Sequence, residues 1–212
     1  MSQSDPSRQL ALESFQQGDY QGALVHCSRA LEQAADDAMI WQVRGLCTLQ
    51  LGQFEESILA LEKTLSLSGD DPEVLNNLGI AKRRHGDIVG AVNAYTQSIR
   101  LRDDLAPTHN NLADARVAQG EWSAAIASFR TALMINPQDA STKFNLANLL
   151  RDMGEYEQSC SHYENLIERF PDDAEQIVPL AEDKALLRLR EGKDALHDCR
   201  HLRNTNHKLP QS

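Results

Sequence analysis

No stretch of this chain approaches the ~18 consecutive apolar residues that a bilayer-spanning helix needs. The polar start Met1-Ser2-Gln3-Ser4-Asp5-Pro6 also lacks an apolar signal-peptide core. No membrane partner is expected, and the expected location is cytoplasmic. Basic residues are in deficit, with 21 Lys and Arg against 31 Asp and Glu, a net charge of −10 and a pI near 5.1. That balance argues against nucleic acid as a partner, because affinity for a duplex rests mainly on Lys and Arg neutralising phosphates. Paired cysteines are missing too. Cys27, Cys47, Cys160 and Cys199 lie far apart, without the spacing of a zinc site or a redox motif. They are expected to serve as small buried hydrophobes in a reducing compartment. No glycine-rich phosphate loop is present either, since the glycines follow a different spacing.

That spacing is the dominant feature of the chain. Gly18, Gly52, Gly86, Gly120 and Gly154 each stand 34 residues after the one before. Each is followed by a polar and then a bulky residue, as in Gly18-Asp19-Tyr20, Gly52-Gln53-Phe54 and Gly120-Glu121-Trp122. A small residue recurs at a fixed offset: Ala23, Ser57, Ala91, Ala125 and Ser159. A fixed period of this length marks an architecture in which each unit buries its apolar face only by stacking on its neighbours.

Counting from the glycines divides residues 4–173 into five repeats, 4–37, 38–71, 72–105, 106–139 and 140–173. In the first, a helix is expected through Leu10, Ala11 and Phe15, and a second through Ala23, Cys27, Ala30 and Leu31. The intervening glycine suits the left-handed residue that ends many helices, and Asp19 suits the cap of the next one. Pro72 falls where a first helical residue can do without its amide hydrogen. After Asp173 the period breaks, because Arg188 stands where the next glycine should be. Residues 174–203 still carry helical apolar periodicity, and they are expected to form a capping hairpin before a tail at 204–212.

The residue classes at these offsets resemble the tetratricopeptide repeat family over about residues 4–173. The resemblance implies an all-α, right-handed superhelical α-solenoid of five helical hairpins plus the C-terminal cap. The sequence departs from the family pattern where Ala35, Gly69 and Asp103 replace a closing proline, and where Ser7 replaces a large apolar residue. In the family, the first helix of each hairpin lines a concave groove through repeat positions two, five, six, nine, twelve and thirteen. Position six holds Gln9, Val43, Asn77, Asn111 and Asn145, and position five adds Asn76 and Asn110.

Asparagine is a mediocre helix former, so a file of it on one helix face calls for a reason. A carboxamide both donates and accepts and can pair with a peptide backbone without reading its side chains. Asn77, Asn111 and Asn145 resemble the asparagine ladder in the repeat domain of O-linked N-acetylglucosamine transferase. The bland alternative is that these amides are solvated, or bond to one another between repeats. Arg83, Arg84, Asp114, Phe144, Asn148, Arg151 and Asp152 would flank the ladder and supply selectivity. A second family mode, a basic clamp on a terminal carboxylate, is not supported, since Gln42, Val43, Asn76, Pro107 and Ser141 fill its positions.

An enzyme would need a nucleophile, a base or a metal set. The nearest candidate is His197-Asp198-Cys199-Arg200-His201, which offers only two firm ligands where a catalytic zinc wants three. The expectation is therefore no catalytic residue, no metal and no cofactor. The function that follows is a non-catalytic adaptor holding an extended peptide of a partner protein. The alternative is the substrate-recruiting part of a transferase of the glycosyltransferase or sulfotransferase kind. One-base-per-repeat RNA binding is opposed by the acidic balance. The partner's identity and the oligomeric state stay open.

Overall fold

The computed structural model describes residues 6–169, and over that span the chain forms ten α-helices and no strand. They are α1 (Pro6–Gln16), α2 (Tyr20–Gln33), α3 (Ala38–Gln50), α4 (Phe54–Ser68), α5 (Pro72–His85), α6 (Ile88–Leu101), α7 (Ala106–Ala118), α8 (Trp122–Ile135), α9 (Ala140–Asp152) and α10 (Tyr156–Arg169). Two compact units divide between Glu121 and Trp122, the first holding α1 to α7 and the second α8 to α10. The all-α architecture expected from the period is thus present. The proposed capping hairpin, the tail, and Cys199 with its two histidines lie outside the described residues.

Each helix break has a local cause. The five periodic glycines all take positive φ, from 75° at Gly120 to 97° at Gly86, a region that a side chain disfavours. At Gly86 the turn is closed by its amide, which donates to the carbonyls of Arg83 and Lys82. Restart is set by aspartates. The carboxylates of Asp19, Asp37, Asp71, Asp87 and Asp139 each accept from backbone amides in the first turn of the following helix, replacing hydrogen bonds that the helix itself cannot supply. Asp71 does this directly before Pro72, whose missing amide hydrogen costs nothing there.

In the first unit each helix packs on the next in sequence order, and α1, α3, α5 and α7 also touch one another in a row. In the second, α9 packs against both α8 and α10. The fixed small residues explain how close the partners come, since Ala23, Ser57, Ala91, Ala125 and Ser159 are all fully buried. The two serines satisfy their hydroxyls across the hairpin, Ser57 Oγ donating to the Gly45 carbonyl at 2.8 Å and Ser159 Oγ to that of Ala147 at 2.9 Å. Apolar clusters join one hairpin to the next. Leu61 on α4 packs with Val74, Leu78 and Ala81 on α5 and Ala94 on α6.

Cys27, Cys47 and Cys160 are buried free thiols. Burial pushes the Cys27 thiol up to about 11 and that of Cys47 to about 12, so both are protonated and unreactive at neutral pH. The reading of these cysteines as packing residues holds.

Candidate functional site

The row of first helices in the first unit, α1, α3, α5 and α7, carries the predicted groove positions of repeats one to four. Asn76, Asn77, Asn110 and Asn111 are all half-buried on α5 and α7. Asn111 Nδ2 donates to Asn76 Oδ1 at 3.0 Å, joining the two helices. The bland alternative has the amides of Asn77, Asn111 and Asn145 bonding to one another, whereas the bond observed joins Asn111 to Asn76. The bond uses one N–H of Asn111 and one lone pair of Asn76. An amide donor on Asn76 and the carbonyl oxygen of Asn111 remain. Val43 breaks the file one repeat earlier, since it is buried in the apolar cluster of the first two hairpins and presents nothing to a ligand.

Asn145 is half-buried on α9 in the second unit, as are Asn148 and Arg151. Asn148 Oδ1 accepts a hydrogen bond of 2.5 Å from the Tyr163 hydroxyl. The Phe144 ring meets that of Tyr163 edge-on at 5.9 Å. Arg151 reaches Asp152 at 3.4 Å. Several flanking positions are thus held by contacts within their own hairpin, which spacing alone did not reveal.

The basic run of α5 separates by function. Lys82 pairs with Glu62 at 2.9 Å, and Arg84 and His85 are exposed on a last turn where positive charge suits the helix dipole. Arg83 is half-buried and lies beside Tyr95 of α6, close enough for its charge to lower the phenol pKa. Burial outweighs that pull and pushes the Tyr95 hydroxyl up to about 12. Asp114 of α7 is raised above the ordinary carboxylate range by burial, with Arg83 pulling the other way.

The sequence signal for Tyr95 is the choice of tyrosine over phenylalanine at a buried site, which implies a polar neighbour. The ring fits because of a glycine. A methyl group at Gly79 would stand 2.4 Å from Tyr95 Cε1 and 2.6 Å from Cδ1. Gly79→Ala gains about 1 kcal/mol of helix propensity but forces overpacking that costs about 1–3 kcal/mol. A net loss of about 1 kcal/mol is expected in urea unfolding. In a Tyr95→Val background, where the ring is gone, the same substitution should become stabilising. A gain in the parent chain would show that the ring yields freely.

Among the described residues no group of three or more His, Cys, Asp or Glu side chains could hold a metal ion. No helix there is long and apolar enough to cross a membrane. Helical hairpins at a 34-residue period, with capped turns and a row of first helices bearing carboxamides, define a helical-repeat protein of the interaction type. Sequence models of the tetratricopeptide repeat match residues 14–79 and 116–180, and a second such model matches 76–140. The chain belongs to the tetratricopeptide repeat family, whose members are generally scaffolds for other proteins.

No curated protein sequence matches the chain. Solved structures similar to it include MamA from Desulfovibrio magneticus RS-1, with 14% identity and a TM-score of 0.72, covering 76% of this chain and 92% of that one. A thermophilic tetratricopeptide-repeat protein from Thermus thermophilus has 21% identity and a TM-score of 0.62, covering 84% of this chain and 97% of its own. YrrB, described as a tetratricopeptide-repeat protein with an unusual peptide-binding site, has 15% identity and a TM-score of 0.68, covering 89% and 92%. At these identities the likeness is one of fold.

Proposed function

We propose that this chain is a non-catalytic adaptor that holds an extended segment of a partner protein against its first helices, with asparagine carboxamides on the partner's backbone. The observation that carries this is the Asn76–Asn111 pair, in which one hydrogen bond fixes two side chains from neighbouring helices. Fixing them in advance lowers the entropy lost when a ligand binds. The pair keeps N–H donors on Asn76 and the carbonyl oxygen of Asn111, which suit the carbonyl and amide of an extended backbone. Asn77 on α5 and Asn145 on α9 stand at the position in their own repeats that Asn111 holds in the fourth.

A groove of this kind reads backbone and is tolerant of sequence, with selectivity left to charged flanks such as Arg83, Arg84, Asp114 and Arg151. The peptide-binding site named for YrrB is consistent with such a use of the fold. The net charge of −10 argues against nucleic acid as the occupant.

The triple substitution of Asn77, Asn111 and Asn145 by alanine tests this reading. Each lost hydrogen bond is worth about 0.5–1.5 kcal/mol, so affinity for a peptide selected from a displayed random library should fall about tenfold or more. Circular dichroism should show the helices intact, because alanine is the better helix former. Unchanged affinity by calorimetry would sink the carboxamide reading.

A further inference from the structure

In the first unit Arg8, Lys63, Lys82 and Arg102 each pair with a carboxylate, at 2.8 to 3.5 Å. Two cations of the second unit are held by neutral amides instead. Arg130 of α8 donates from Nη2 to Gln158 Oε1 at 3.2 Å, and Lys143 of α9 donates from Nζ to Asn165 Oδ1 at 2.6 Å. Both acceptors belong to α10. Gln158, His162 and Asn165 are spaced by four and then three residues, so they share one face of that helix. The two cations therefore reach α10 one turn before and one turn after His162, at points about 10 Å apart along its axis. His162 is half-buried between them. Burial holds this histidine below its ordinary range, and the charges of Lys143 and Arg130 lower it further, so the ring is neutral at pH 7.

The acids of these three helices are engaged elsewhere or lie round the helix from His162. α8 has none. Asp139, the cap of α9, accepts from the Ser141 amide and the Thr142 hydroxyl, and Asp152 pairs with Arg151. Glu155 bonds the other end of the Gln158 carboxamide, accepting from its Nε2 at 3.3 Å. Glu157, Glu164 and Glu168 all fall at least about 120° round α10 from His162. Two positive charges thus flank one neutral ring on a face that Arg130, Gln158 and Asn165 expose to solvent.

We propose that Arg130 and Lys143 form a docking point for an acidic segment of a partner protein, two carboxylates of which replace the Gln158 and Asn165 amides as their acceptors. A carboxylate adds a Coulomb attraction that a neutral amide lacks. The released amides stay on an exposed face, where water satisfies them. The neutral ring of His162 keeps one N–H for the segment passing between the cations. Spacing selects the segment. An extended chain rises ~3.3 Å per residue, so carboxylates about 10 Å apart stand three residues apart, as in Glu-x-x-Glu, whereas one phosphate group is too small to reach both points. None of the asparagines of the carboxamide row takes part, so this docking point does not depend on that row.

The test is fluorescence anisotropy of three labelled, capped peptides on the full chain at low salt. One carries two Glu separated by two residues, one has the same composition with the Glu adjacent, and one has Gln in place of both. In a chain of net charge −10 an acidic probe gains nothing from long-range attraction, so binding reports the local pair. The spaced peptide should bind best, and the Gln peptide about tenfold more weakly or worse. Arg130→Gln and Lys143→Gln should each weaken the spaced peptide about three- to fivefold, and the double variant about tenfold or more, with thermal melts confirming that all are folded. The control is Lys63→Gln with Lys82→Gln, which removes the same charge from the first unit and should leave the affinity unchanged. No binding of the spaced peptide, equal binding of all three, or equal losses in the two double variants would overturn the proposal. Tighter binding of a peptide bearing a single phosphoserine would overturn the assignment to two carboxylates.

Discussion

Leu61→Ala is expected to cost about 2–5 kcal/mol and to loosen two hairpins at once. Leu61 is fully buried and lies against Gly45 of its own hairpin, where an added methyl would meet its Cγ and Cδ2 at 2.8 Å. The same side chain belongs to the cluster with Val74, Leu78 and Ala81 on α5. In repeat proteins stability is close to a sum of terms within repeats and terms between them. Leu61 contributes to both kinds, so its loss removes part of each. Amide exchange should accelerate in α3 to α6, and urea unfolding should begin earlier. The control is Leu59→Ala on the same helix, where the side chain is 63% exposed and a loss of no more than about 0.5 kcal/mol is expected. Equal losses at the two positions would show that the helix faces are misassigned.

The helices and their turns could be read from the sequence because period, glycine and cap all act locally. A glycine with positive φ needs no distant partner to be recognised, and Asp71 before Pro72 carries its capping role in two residues. Within such a frame the choice of Ser57 and Ser159, where other repeats have alanine, is explained by the carbonyls of Gly45 and Ala147. Contacts between side chains on different helices were less legible. The 34-residue count put Asn111 and Asn76 on facing helices, but whether they would meet depended on rotamers and on the distance between α5 and α7. Val43 shows the limit of the count from the other side. It holds the same repeat position as Asn77 yet is buried, because an apolar side chain there turns toward the cluster of Ile40 and Cys47 rather than toward water.

The polar contacts of the two tyrosines were hidden for a related reason. Tyr95 and Tyr163 occupy the same position in repeats three and five, and both rings are fully buried. What surrounds each hydroxyl differs, because the residue facing it across the hairpin differs. Asn148 offers Tyr163 an oxygen at 2.5 Å, whereas Ile80 stands at the matching position of the third repeat and offers nothing polar. The hydroxyl of Tyr95 is left beside Arg83 instead. One repeat position thus carries a hydrogen bond across its hairpin at Tyr163 and lies beside a cation of the preceding helix at Tyr95.

That difference gives the tyrosines opposite expected responses, and Tyr163 the larger one. Tyr163→Ala should cost about 3–5 kcal/mol, since it removes a fully buried ring that meets Phe144 edge-on and packs with Ala147 and Leu166. Tyr163→Phe keeps the ring and deletes the hydroxyl that bonds Asn148 Oδ1, taking that donor from a half-buried carboxamide, for a cost of about 1 kcal/mol. Tyr95→Phe removes a hydroxyl that has no hydrogen-bond partner among the described residues, and it should be neutral or slightly stabilising. Parallel urea titrations of the three variants would measure this, with amide exchange assigning the loss in Tyr163→Ala to α9 and α10. Equal destabilisation by the two Tyr→Phe changes would mean that the Tyr95 hydroxyl has a partner after all.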